Sequence, residues 1–232
     1  MKIKAVLFDG YGTLFSGGMD KLYQVCQHIC DDHGLDLDGK GFLGKWDPYF
    51  FPLIRSGQFM TFRKAHALSL VTVFEELGVR AEPDRYVKEM FELLGEVTLY
   101  DDVVPTLDAL AGFPHGVVSN ADTDHLQNAL SRNGLVFDLV VSSESAKAYK
   151  PDPAIFKDAL ETLGVAPGHV LYVGDSQEDD IVAANRGGIQ MAWLNREGEE
   201  RKEGIPEPDY KITSLSEVVE IVRSNATTNE HR

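Results

Sequence analysis

The chain alternates between short, unbroken apolar runs and longer stretches in which apolar positions recur every three or four residues. The first run, Ile3 to Phe8, stops at Asp9-Gly10. A run with no polar alternation reads as a strand buried on both faces, as in a parallel sheet. Similar runs follow at Gly116-Val117-Val118, Leu139-Val140-Val141, Val170-Leu171-Tyr172-Val173 and Met191 to Leu194. Helix-sized amphipathic stretches lie between them: Asp122 to Asn133, Pro153 to Leu163 and Gln177 to Arg186. This alternation predicts βαβ units and an α/β fold with a doubly wound parallel sheet.

Residues 17–96 break the rhythm. Met19 to Asp32, Gly41 to Arg55, Thr61 to Leu77 and Pro83 to Leu94 all read as helices, with Leu68, Val71, Phe74 and Leu77 marking the helical spacing in the third. The pattern predicts an all-helical insert after the first sheet strand. The chain then divides into a core of residues 1–16 and 97–232 and a helical domain of residues 17–96. Trp46, Tyr49, Phe50, Phe51, Phe59 and Phe62 fall in that domain, as core residues or as the lining of an apolar pocket. The polar residues from about Asn225 read as a frayed end.

Composition narrows the function. With 37 acidic against 22 basic residues the formal net charge is −15, a surface that repels nucleic acid and anionic lipid. A small anionic substrate must therefore be met by local cations or backbone N–H groups. The two cysteines, Cys26 and Cys30, exclude a disulfide scaffold and suit a reducing compartment. No signal peptide or membrane span is legible. The expected protein is cytoplasmic, a monomer or homodimer, with no nucleic-acid or membrane partner.

Ligands of a parallel sheet bind outside the carboxyl ends of its strands, at a topological switch point. The residues ending the apolar runs are Asp9 and Tyr11, Ser119 and Asn120, then Lys150 a little later, and Asp175 with Asp179 and Asp180. Together they supply a possible nucleophile, a hydroxyl, a cation and a carboxylate cluster. Two weaker motifs fail. Asp36-Leu37-Asp38-Gly39 follows no strand, and Gly10-Tyr11-Gly12 lacks the third glycine of a dinucleotide loop, where Phe15 stands.

Phe8-Asp9-Gly10-Tyr11-Gly12-Thr13-Leu14, Val118-Ser119-Asn120, Tyr149-Lys150-Pro151-Asp152-Pro153 and Val173-Gly174-Asp175-Ser176 with Asp179-Asp180 closely resemble, in order and spacing, the four motifs of the haloacid dehalogenase superfamily. The helical insert is similar to the cap that this family carries after its first motif. The resemblance implies a hydrolase in which Asp9 is a covalent nucleophile, a role open to a carboxylate on a tight glycine loop. It implies catalytic roles for Tyr11, Ser119 and Lys150, and substrate or phosphate contacts from Gly10, Gly12, Thr13, Ser119, Asn120 and Lys150. Ser119 can equally cap the helix that follows it.

Two features of the resemblance pull apart. Superfamily phosphatases carry a second aspartate two residues after the nucleophile. Here that position is Tyr11, as in the family's 2-haloacid dehalogenases, which use no metal and whose halide leaves without a proton. Asp175 with Asp180 (or Asp179) instead resembles the Mg²⁺-binding phosphatase type. Close carboxylates repel unless a cation or proton lies among them, and Mg²⁺ suits oxygen ligands, here Asp9, the Tyr11 main-chain carbonyl, Asp175 and Asp180. The halide-binding arginine of dehalogenases should lie early in the cap, where this chain has Lys40 and Lys45 and no arginine before Arg55. The expectation taken from this balance is a Mg²⁺-dependent phosphatase acting on a small phosphorylated metabolite. A 2-haloacid dehalogenase-like hydrolase and a binding-only relative are the alternatives.

Overall fold

The computed structural model describes residues 2–227. In chain order the elements are β1 (Ala5–Phe8), β2 (Phe15–Ser16), α1 (Gly18–His33), α2 (Gly39–Ile54), α3 (Phe62–Leu77), α4 (Pro83–Leu94), β3 (Thr98–Leu99), α5 (Val103–Ala109), β4 (His115–Ser119) and α6 (Thr123–Arg132). There follow β5 (Val140–Ser142), α7 (Ser143–Ala146), α8 (Lys157–Leu163), β6 (Val170–Gly174), α9 (Val182–Gly187), β7 (Gln190–Leu194), β8 (Tyr210–Ile212) and α10 (Ser216–Thr227). A π-helical turn at Gln177–Ile181 leads into α9.

Six parallel strands form one sheet in the order β5-β4-β1-β6-β7-β8. The chain winds outward from β1 in one direction and then from β6 in the other. The crevice between these two strands is the switch point, where parallel sheets hold ligands. All four residues of β1 are buried because alternate side chains enter different cores. Val6 and Phe8 join Val117, Leu171 and Val173 on one face, and Ala5 and Leu7 join Val118, Tyr172 and Phe156 on the other. This doubly wound core matches the fold class that the sequence pattern predicts.

Helices α1 to α4 form a third core of their own, with Trp46, Phe42, Phe74 and Tyr86 at its centre. Full burial of each such side chain is worth about 1.5–3 kcal/mol, so the cap has substantial internal stabilisation. Cys26 and Cys30 lie buried in it as free thiols. The short antiparallel pair β2–β3 is where the chain leaves the sheet for the cap and returns.

One sequence reading is off in detail. Leu68 and Val71 of α3 are 44 % and 40 % exposed, whereas Ala65, Ser69, Leu70, Val73 and Phe74 are buried. Ser69 can lie inside because its hydroxyl donates to the Ala65 carbonyl at 2.8 Å and accepts the Trp46 indole N–H at 2.7 Å. At the carboxyl end, α10 continues to Thr227 and Asn225 donates to the Ile221 carbonyl. The chain is therefore still helical at Asn225, where a frayed end was expected, and residues 228–232 lie outside the described residues. No helix among the described residues is long and apolar enough to cross a membrane.

Candidate active site

Asp9 follows β1 directly, at the switch point, and is 5 % exposed. Its backbone N–H continues the sheet by donating to the Val173 carbonyl at 2.8 Å. The chain then turns sharply: the Leu14 and Phe15 amides both donate to the Gly10 carbonyl, and the Gly12 amide donates to the Phe15 carbonyl. Gly12 sits at φ +92°, and a Cβ there would lie 2.4 Å from Asp175 Oδ2. Only glycine fits at that close approach. The Gly12 N–H is thus taken up inside the turn.

Lys150 is 2 % exposed, and its three protons are all spoken for. Nζ lies 2.6 Å from Asp9 Oδ1, 2.7 Å from Asp180 Oδ1 and 2.7 Å from the Tyr172 hydroxyl. Burial works against the ammonium, but Asp180 and Asp9 outweigh it and hold Lys150 protonated above its ordinary range. Ser119 Oγ donates to the same Asp9 oxygen at 3.0 Å. Both donors fall on Oδ1, so Oδ2 has no hydrogen-bond donor among the described residues. Asn120 does not touch Asp9. It pairs reciprocally with the Lys150 backbone, accepting from its N–H at 2.8 Å and donating to its carbonyl at 3.1 Å.

Asp180 is fixed by Lys150 and by the Ser176 N–H, which donates to Oδ2 at 2.9 Å. Asp175 accepts from the Thr13 hydroxyl at 3.1 Å. One oxygen each from Asp9, Asp175 and Asp180 lies within 4.8 Å of the others. Asp179, the other candidate of that motif, turns away to pair with Arg55 of the cap at 2.8 Å. Burial pushes Asp9 up to about 6, with Lys150 opposing and Asp180 adding to the shift. Burial, then Asp180 and Asp9, pushes Asp175 well above the usual carboxylate range and favours its protonated form. The Tyr11 hydroxyl is driven above its ordinary range by burial and by Asp9. It stays a phenol and cannot act as a base.

A cavity of about 560 Å³ opens beside Tyr11, Gly12, Asn120 and Asp175, with Phe62, Phe91 and Leu94 of the cap on its far side. Of the cap aromatics singled out in the sequence, only Phe62 lines it. Trp46 and Phe50 are core, Tyr49 pairs with Glu76, and Phe59 stacks on Tyr149. Lys40 lies over the Tyr23 ring, and Lys45 faces Glu76. Sequence reasoning missed His125, which also lines the cavity. Its signal was its place in the first turn of the helix after the Ser119 strand.

A family model for haloacid dehalogenase-like hydrolases matches residues 3–188. The chain belongs to this family. It is a hydrolase of the haloacid dehalogenase type, as the four motifs implied. The (S)-2-haloacid dehalogenase 1 of Pseudomonas sp. strain CBS-3 is 28 % identical over 95 % of this chain and 96 % of its own length. A pyrimidine 5'-nucleotidase of Escherichia coli is 34 % identical over a shorter stretch, 64 % of this chain and 67 % of its own. The structure of the L-2-haloacid dehalogenase of Xanthobacter autotrophicus superposes with a TM-score of 0.78 at 23 % identity, covering 96 % of this chain and 99 % of that one. Coverage of nearly the whole chain takes in the cap.

These relatives correct two expectations. The Mg²⁺-dependent phosphatase gives way to the dehalogenase alternative, since several (S)-2-haloacid dehalogenases match the chain from end to end. Mg²⁺ goes with it, because that branch, as the resemblance implied, uses no metal. The physical reason lies in the cluster that suggested a cation. Asp9, Asp175 and Asp180 are spaced to hold one, but repulsion among carboxylates is relieved equally by an ammonium and a proton. Lys150 bridges Asp9 and Asp180, and Asp175 is shifted toward its protonated form.

Proposed function

We propose that the protein hydrolyses 2-haloacids, with Asp9 as the nucleophile. The observation that carries this reading is Tyr11. The residue two after the nucleophile is a phenol held above its ordinary range, so the proton shuttle that an alkoxide leaving group needs is missing from that position, and a halide needs none. The end-to-end likeness to (S)-2-haloacid dehalogenases supports it.

In this reading Asp9 Oδ2 attacks C2 of the substrate in line with the departing halide. Lys150 and Ser119 hold the carboxylate through Oδ1 and leave the attacking oxygen unencumbered. An ester joins Asp9 to C2, and the halide leaves with the bonding pair. Water then adds to the Asp9 carbonyl carbon and releases the 2-hydroxyacid, so C2 is inverted once. The neutral state of Asp175 removes a charge that would repel the substrate carboxylate. Residues 17–96 serve as the cap that closes over the substrate, on the core of residues 1–16 and 97–232.

Single turnover in ¹⁸O-labelled water, with enzyme in excess over an (S)-2-haloacid, tests the covalent step. The first product molecule is expected to carry unlabelled oxygen from Asp9, and the label is expected to remain on Asp9. Label in the first product would mean direct attack by water and would remove Asp9 from the role.

A further inference from the structure

The site has a nucleophile, but no lysine or arginine lines its cavity free to meet a departing halide: Arg63, whose charge reaches Tyr11 and His125, is paired with Asp122 and Asp124. Lys150 has committed all three protons to Asp9, Asp180 and Tyr172. Arg55 is engaged with Asp179. Lys40 and Lys45 lie elsewhere on the cap, and no lysine or arginine is among the residues lining the cavity. A halide leaving C2 carries a full negative charge into a space bordered by Asp20 and Glu197. Something must receive it.

Four buried side-chain polar atoms among the described residues have no hydrogen-bond partner, and two of them belong to residues lining this cavity. They are the Tyr11 hydroxyl and His125 Nε2. His125 is 5 % exposed. The two rings stack at 5.6 Å with planes 3° apart, and Phe91 of the cap meets the His125 ring edge-on at 4.9 Å. A buried polar atom left unpaired costs about 1–3 kcal/mol, and two such atoms on neighbouring residues that line one cavity call for a partner the protein itself does not supply. Burial, helped by Arg63, brings His125 down to about 4. Its imidazole is neutral in use, and in the Nε2–H tautomer it is a donor, as the phenol is.

We propose that Tyr11 and His125 are catalytic residues that together receive the halide, donating O–H and Nε2–H hydrogen bonds to it as it leaves C2. The proposal rests on the dehalogenase reading and adds to it the groups that stabilise the leaving group. Neither residue gives up its proton. The Asp9–C2 bond forms as the C2–halogen bond breaks, the electron pair departs with the halide, and the two donors hold the ion until it escapes. Donors fixed in advance where charge develops, away from bulk water, act more strongly than the same groups in solution. Two neutral donors also suit a cavity whose walls are largely apolar.

The test is the leaving-group dependence of single-turnover halide release from (S)-2-chloro-, 2-bromo- and 2-iodopropionate by the full-length protein, its Tyr11→Phe variant and its His125→Phe variant. Both substitutions keep a ring in the stack and remove only the donor. Chloride concentrates its charge most and depends most on hydrogen bonds. Loss of one donor is expected to slow chloride release by about 100-fold or more and iodide release far less, so the chloride-to-iodide rate ratio falls in each variant. The ratio is taken on one preparation, so a misfolded fraction leaves it unchanged. Equal slowing with all three substrates, or no slowing, would overturn the assignment. Wild-type protein that released none of the three halides would instead bring down the dehalogenase reading beneath it.

Discussion

At the scale of single residues, the site is a device for keeping one carboxylate reactive in a buried place. Asp9 loses hydration and is pushed up to about 6, and it would go further without the Lys150 ammonium. Only the ionised carboxylate attacks carbon, so the sign of the pH dependence follows. The rate of halide release rises with pH through about 6 and falls on the acid side of it, as a pH profile of single-turnover rates would show. A profile flat from pH 4 to 8 would mean that Asp9 is not the group that must ionise. The residue chemistry was partly legible in the sequence. Asp9, Ser119, Lys150 and Asp180 stand at or after the ends of apolar runs, and the structure links all four in one network, Ser119 and Lys150 on Asp9 and Lys150 on Asp180. The choice between Asp179 and Asp180 was not legible, because both follow the same strand. It is decided by a π-helical turn that buries Asp180 and sends Asp179 toward Arg55. Thr13 and Asn120, expected as substrate contacts, pair in this structure with Asp175 and the Lys150 backbone.

At the scale of elements, the cap is tied to the core by a small number of polar contacts. Asp122, just before α6, accepts the N–H groups of Phe62 and Arg63 at 2.6 and 3.0 Å. A carboxylate from the core thus caps the first turn of cap helix α3, where unpaired amides favour an anion. Tyr149 of the core donates to the Met60 carbonyl at 2.9 Å. Asp122→Ala leaves two amides at the domain junction without their acceptor, and a loss of about 1–3 kcal/mol is expected. It would appear as a lower Tm in a thermal melt, with the KM for substrate raised as the cap docks less firmly. An unchanged melt and KM would show that α3 is held by its apolar face alone. Helix positions were legible because apolar residues recur at three-to-four spacing along the cap, most clearly in α1 and α4. The short β2–β3 pair, α5, β8 and α10 were missed. The strands are two or three residues long, too short for periodicity to register, and the face that α3 buries was misjudged because Ser69 and His66 are interior polar residues.

At the scale of the whole molecule, a strongly acidic protein, net −15, would under the proposed function meet its anionic substrate by neutralising its own site rather than by attracting the substrate from afar. Its carboxylates are met by one shared ammonium and one retained proton. The same neutralisation explains why the sequence suggested a metal: the motif displays the carboxylates, while the lysine that bridges them lies far along the chain and closes in only with the fold. The sequence likewise says little about the cavity, whose walls come from the cap and the core together. The most direct test of the central claim is ion release by purified protein, offered (S)-2-chloropropionate and an aryl phosphate in parallel, each with Mg²⁺ and with EDTA. Chloride release at equal rates under both conditions, with no phosphate, is the predicted result. Mg²⁺-dependent phosphate release with no chloride would contradict it.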